Sequence, residues 1–246
     1  MSNRVRSVAA WPLLSLVLAG CAGDPAGTTS DDVVGGTRDS ERASTVFIQG
    51  PHGYCSGSLV QVASGQGSVL TAAHCLRGGA PTEVVFADDS AASYAFRFPV
   101  TAAVAHPSFD SSAGVSDFDF AVLTIDGIDD SWPIQVLASP AEDAALALGE
   151  EVTVSGFGLT EAGGPDNTER RAVTLGVTAL TAERITSASA TGATCGGDSG
   201  SPVLVRRGAL EVQVGVHAWG NTGCQGEANA SRVRSGSDWI FAQLVR

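Results

Sequence analysis

The chain contains no lysine: all 14 of its basic residues are arginine. That excludes Schiff-base catalysis, which needs a lysine amine, and phosphate cradling by a P-loop lysine. Acidic residues number 26, and the formal net charge of −12 argues against nucleic acid or an anionic membrane surface as partner. The apolar run Val8 to Leu18 is too short for a comfortable bilayer span. No internal repeat is visible. No cluster of acidic residues builds a calcium loop, so no metal and no other cofactor is expected. Charged residues make up only 16% and hydrophobic residues 43%, a globular profile. At 246 residues the chain can bury one large core or two small ones.

The first twenty residues stand apart from the fold. Arg4 and Arg6 give a positive start, the apolar run follows, and small residues lead to Cys21. The tetrapeptide Leu18-Ala19-Gly20-Cys21 resembles a bacterial lipobox, which implies a lipid on Cys21 and export. An ordinary secretory signal is the alternative. Residues 21–32 are small and polar, with no apolar periodicity, and read as a linker or propeptide. Five cysteines in an exported chain leave one over. With Cys21 set aside, Cys55, Cys75, Cys195 and Cys224 can form two disulfides, in any of three pairings.

From Val33 onward, short β-branched or aromatic runs alternate with Gly, Pro, Ser and Asp clusters. Such runs are VFIQ (46–49), SVLTAA (68–73), EVVF (83–86), FAVLTI (120–125), EVTVSGFG (151–158), AVTLGVTAL (172–180), SPVLV (201–205) and LEVQVGVHAW (210–219). Many short strands with turns between them predict an antiparallel sandwich or barrel. Only 237–245 looks helical, with Trp239, Ile240 and Leu244 on one face and Ser237 or Asp238 as cap.

Three motifs carry chemistry: TAAHC (71–75), DFAVL (119–123) and GDSGSP (197–202). A serine hydroxyl is a weak nucleophile at neutral pH and needs a base within hydrogen-bond reach. The base needs an acceptor that fixes its tautomer and stabilises the imidazolium. Charge developing on an attacked carbonyl needs preorganised donors, and glycines let backbone N–H groups approach it. Each motif alone is weak. A His, an Asp and a Ser so placed, with cysteines beside two of them, are hard to reach by chance.

These motifs, with VVGG (33–36), Cys55-Ser-Gly-Ser-Leu59, HPSFD (106–110), GFG (156–158), VHAWG (216–220) and DWI (238–240), resemble the trypsin/chymotrypsin family of serine proteases from Val33 to the end. The resemblance implies an all-β domain over 33–246, made of two six-stranded antiparallel barrels with a C-terminal helix and the site at their junction. It implies disulfides Cys55–Cys75 and Cys195–Cys224, each worth about 2–4 kcal/mol through loop closure. It implies His74 as base, Asp119 as its orienting acid with Asp117 as runner-up, Ser199 as nucleophile, and the N–H groups of Gly197 and Ser199 as oxyanion hole. His52 and His106 read as surface residues. The resemblance further implies a zymogen cut between Asp32 and Val33, whose new amine pairs with Asp198.

By the same resemblance the primary specificity pocket comprises Ala193, Thr194, Gly220 and Ala228. Ala193 stands where a trypsin carries Asp, so cleavage after Arg or Lys is not expected. The small apolar walls suit a hydrophobic side chain, as in chymotrypsin-like or elastase-like enzymes. Thr194 and His217, however, resemble the pair with which glutamyl endopeptidases bind a substrate carboxylate. Asp32, just before the expected cut, suits an acid-specific enzyme that processes itself. The expected partner is a protein or peptide substrate, with the chain a monomer and membrane contact only through lipid at Cys21. The expected location is a lipid-anchored precursor in the cell envelope and an extracellular enzyme after the cut. A non-catalytic binding protein on the same fold is the reading of a different class.

Overall fold

A computed structural model of the chain describes residues 36–113 and 116–246. The signal segment 1–20, Cys21, the 21–32 linker and the Asp32–Val33 bond lie outside the described residues.

The described residues form thirteen strands: β1 Thr37–Arg38, β2 Thr45–Gly50, β3 Gly53–Ala63, β4 Gln66–Thr71, β5 Glu83–Phe86, β6 Phe96–Ala105, β7 Ala121–Asp126, β8 Glu151–Gly156, β9 Arg171–Leu180, β10 Arg184–Ala188, β11 Pro202–Arg207, β12 Leu210–Gly220 and β13 Glu227–Arg232. The first barrel closes in the order β2-β3-β4-β7-β6-β5, with β5 returning to β2. The second runs β9-β10-β13-β12-β11-β8 and closes through β8 on β9, while β1 adds to the outside of β9. All of these pairings are antiparallel. Closure leaves neither barrel with a long unpaired edge.

Period-two burial builds each barrel interior. Val152 and Val154 of β8 face Val173, Leu175 and Val177 of β9 inside the second barrel. Val46, Ile48, Leu59, Val69, Val84 and Leu123 fill the first. A third cluster joins them: Val60, Leu70, Phe120 and Val122 from the first barrel meet Val216 from the second, with Val233 and Ile240 of the C-terminal helix. Polar contacts cross the same junction. Arg42 donates from Nε and Nη2 to Glu211 at 2.9 and 2.8 Å. The Ser58 hydroxyl donates to Gln213 Oε1 at 2.8 Å.

Two helices depart from expectation. The C-terminal helix α2 spans Val233–Gln243 and begins after Arg232, which offers no side-chain cap. Ser237 therefore lies inside it, bonded back to Arg234 O at 3.2 Å, and neither Ser237 nor Asp238 caps anything. Gly236 lies in its first turns, where an added side chain would collide with the Phe120 ring. A short helix α1, Pro140–Ala144, was not expected. Its capping box pairs Ser139 with Glu142, and a proline opens its first turn. Among the described residues no helix is long and apolar enough to cross a membrane.

Candidate active site

The site is assembled from both barrels. A 3-10 turn, Ala73–Leu76, follows β4 and carries His74. Asp119 immediately precedes the buried Phe120 and β7, and is itself buried. The backbone is bent for this: Phe118 adopts φ +58°, a left-handed conformation costing an L-residue roughly 1–2 kcal/mol. His106 stacks flat on the Phe118 ring at 5.0 Å between centroids and meets Trp239 edgewise at 4.8 Å. His106 is thus half-buried packing rather than a surface residue, and burial lowers its pKa. His52 is exposed, as expected.

Asp119 holds His74 at two points. Its Oδ2 lies 2.7 Å from His74 Nδ1, and its Oδ1 accepts the His74 backbone N–H at 2.9 Å. With Nδ1 engaged, the other ring nitrogen is left for chemistry, the arrangement a general base requires. The Asp119 N–H in turn donates to the Ser231 hydroxyl at 3.0 Å, a contact from β13 of the other barrel. Asp117 instead pairs with Arg184 at 2.6 Å, away from the imidazole.

Ser199 and His74 line the wall of one cavity, with the Cys55–Cys75 disulfide beside them. The loop carrying Ser199 is fixed from several directions. Ser56 N donates to Ser199 O at 2.8 Å, the Ser56 hydroxyl to Gly197 O at 2.9 Å, and Gly200 N to His217 O at 2.8 Å. Gly197 sits at φ +96°, and a side chain there would collide with the Tyr54 ring, so only glycine fits. The N–H groups of Gly197 and Ser199 make no hydrogen bond to other described residues. Donors left open beside a nucleophile are what a developing oxyanion needs.

Asp198 points away from solvent. It is buried, and its carboxylate accepts the Gly158 and Cys195 N–H groups at 2.9 Å each. Burial nevertheless pushes its pKa up to about 6, because the two amide bonds only partly offset desolvation. Among the described residues no cation reaches it at ion-pair distance; the expected partner, Val33, lies outside them.

On the other side of Ser199 is a cavity of about 400 Å³ lined by Thr194, His217 and Gly220 together with Leu159, Trp219 and the Cys195–Cys224 disulfide. Thr194 Oγ1 and His217 Nδ1 are buried and have no hydrogen-bond partner among the described residues. Burial lowers the His217 pKa to about 3, with His74 adding to the fall and Asp119 opposing it, so the ring is neutral. A side chain on Gly220 would press against Thr194 Oγ1 at 3.0 Å, so glycine keeps the cavity open. Ala193 lines an adjoining cavity with Ser189, Thr191 and Gln225, and the two cavities share Cys224 in their walls. Ala228 packs into the core of the second barrel.

The sequence profile of the Trypsin family matches residues 33–240. The chain belongs to the trypsin family. Human granzyme M is 30% identical over 163 residues, which cover 59% of this chain and 63% of granzyme M. The match therefore spans less than two thirds of that relative. The fold is similar to that of human heparin binding protein, with a TM-score of 0.72 at 22% identity, covering 85% of this chain and 95% of the other. A mutant of the same human protein aligns with a TM-score of 0.71 at 23% identity, over the same shares of the two chains. Within this trypsin-family framework, sequence reasoning missed two residues near the site. Ser231 supports Asp119, and Tyr54 packs on Gly197. Neither sits in a motif, and only the barrel pairing brings them to the site.

Proposed function

We propose that the chain is an exported serine endopeptidase that cleaves peptide bonds after acidic residues through Ser199, His74 and Asp119. The observation that carries this reading is the 2.7 Å contact of His74 Nδ1 with Asp119, in the same cavity wall as Ser199. His74 takes the proton from the Ser199 hydroxyl as its oxygen attacks the substrate carbonyl. The resulting oxyanion is held by the Gly197 and Ser199 N–H groups. His74 then gives that proton to the leaving amine, and the acyl-enzyme is hydrolysed by water along the reverse route. Asp119 keeps the imidazole in place and stabilises its charged form.

The preference for an acidic side chain before the scissile bond rests on Thr194 and His217. Leaving two buried polar atoms unpaired in one wall costs about 1–3 kcal/mol each. A substrate carboxylate that accepts from the Thr194 hydroxyl and a His217 N–H removes that penalty, whereas an apolar side chain leaves it in place. The Asp32–Val33 bond then becomes a site of self-processing, and the new Val33 amine supplies the cation that Asp198 lacks among the described residues. Lipid on Cys21 tethers the precursor, and the cut releases the enzyme.

Hydrolysis of peptides differing only in Glu, Asp, Phe, Leu or Ala before the scissile bond tests the reading, combined with N-terminal sequencing of secreted material. Preference for Glu or Asp and a terminus at Val33 are expected. Preference for Phe or Leu would remove the acidic specificity, and no hydrolysis of any peptide would remove the enzyme.

A further inference from the structure

A cavity of about 270 Å³ opens where β5 and β6 of the first barrel pair, and it shares no lining residue with the cavities around His74, Ser199 and His217. Four aromatic rings gather there: Phe86, Tyr94, Phe96 and Trp132. Trp132 meets Phe86 and Phe96 edge to face, with centroids 4.9 and 5.1 Å apart. Core packing does not account for all four. Phe96 and Tyr94 keep 59% and 61% of their surface in solvent, side by side in one wall, where a ligand that covers them gains apolar burial.

Two polar groups in the same wall have bonding capacity to spare. Arg170 is buried, as are Arg171 and Arg232, but the latter two pair with Glu169 and Asp143. Arg170 has no acid within ion-pair distance among the described residues; Asp39 and Asp88 attract it only from farther off. Its Nε donates to Asp39 O at 3.1 Å, and its Nη1 to Thr45 O and Ala87 O at 3.3 and 2.9 Å. Nη2 donates to none of the described residues, yet it is not among the partnerless polar atoms sealed from solvent. In so buried a residue, the opening that reaches Nη2 is the cavity that Arg170 lines. Asp88 is the counterpart. Its Oδ1 accepts the Tyr94 hydroxyl at 2.6 Å, and no other described residue donates to Oδ2.

Rings with one free acceptor and one free donor beside them suit a ligand with an apolar C–H face and a rim of hydroxyls. Each hydroxyl both donates and accepts, so one can give its proton to Asp88 while a neighbour accepts from Arg170. The C–H bonds of a pyranose face meet the electron-rich faces of the rings. An anionic ligand would instead face the Asp88 carboxylate, in a chain of formal charge −12. A purely apolar side chain would cover Asp88 and Arg170 and leave both unpaired. The volume lies just below the roughly 300–1,000 Å³ of sites for drug-sized ligands, room for a single ring.

We infer that this cavity binds one ring of a neutral saccharide, stacked on the exposed aromatic side chains and hydrogen-bonded by Asp88 and Arg170. The site goes beyond the peptidase reading, and neither depends on the other.

Calorimetric titration of the processed protein with the methyl glycosides of glucose, galactose and N-acetylglucosamine tests it. At least one should bind with a Kd on the order of 1 mM, the affinity a single small ring supports. Asp88→Asn and Phe96→Ala should each weaken that binding at least about 10-fold, with circular dichroism and peptide hydrolysis unchanged. No binding of any of the three, or equal binding by both variants, overturns the inference. So does tighter binding of methyl glucuronide or of N-acetyl-phenylalanine amide than of every neutral glycoside. A protein that binds the glycoside through these residues but hydrolyses no peptide keeps this site and loses the peptidase.

Discussion

At the scale of single residues, each member of the constellation has a distinct failure. Asp119→Asn keeps the shape of the acid but gives Nδ1 a neutral partner and the imidazole the wrong tautomer. By the behaviour of such triads, kcat should fall about 10⁴-fold with the fold intact; stopped-time assays beside a circular dichroism spectrum check both halves of that statement. His217→Val addresses selectivity instead. It replaces an unpaired buried polar atom with an apolar branch and should lower the Glu-to-Phe ratio of kcat/KM by about 10- to 100-fold, the worth of a hydrogen bond to a charged group. A ratio that does not move would show that His217 merely fills the wall. His74, Asp119 and Ser199 stood out in the sequence through their motifs and the family resemblance these carry, and the structure sets His74 against Asp119 and in one cavity wall with Ser199. Ser231 did not stand out, since a serine in the small-residue strand Glu227–Arg232 carries no mark of its partner.

At the scale of elements, the loop from Cys195 to Ser201 depends on conformations that side chains resist. Gly197→Ala must hold φ near +96° and displace Tyr54. Either the loop moves and the oxyanion donor is lost, or the strain remains. Loss of one such donor reduces kcat about 10²- to 10³-fold with little change in KM, and steady-state kinetics on the variant measure it. Strands were readable where apolar side chains alternate, as in β8 and β9. They were hidden where the inward face is small and polar: Ser56 and Ser58 of β3 are fully buried and satisfied by hydrogen bonds rather than by apolar packing. Strand β6 escaped for the opposite reason, because much of its apolar surface stays exposed and Pro99 interrupts it. The helix boundary was missed because no side chain caps its start, and no local pattern announces the close approach of Gly236 to Phe120.

At the scale of the whole molecule, two closed barrels meet along a shared apolar cluster, and His74 and Asp119 come from one while Ser199 comes from the other. On the proposed reading the catalytic geometry is coupled to the junction, and the state of Asp198 to the cut at Val33. In the uncleaved chain the Asp198 pKa stands at about 6, above its ordinary 3.8. A carboxyl with a raised folded-state pKa adds stability below its unfolded pKa and loses it as pH rises through the folded one. The uncleaved chain should therefore lose stability between about pH 4 and pH 6 relative to Asp198→Asn, whose amide does not titrate. Thermal unfolding of both proteins across that range checks it, and parallel curves would contradict the assignment. After the cut, pairing with the Val33 amine should remove most of this difference.

The central claim is that an alcohol from one barrel is activated by an imidazole from the other. Titration of the processed protein with a serine-directed fluorophosphonate, followed by mass mapping of the adduct, tests it most directly. One equivalent should attach to Ser199, peptide hydrolysis should vanish in proportion, and His74→Ala should react far more slowly. A folded, processed protein that hydrolyses peptides while Ser199 stays unmodified would contradict the account.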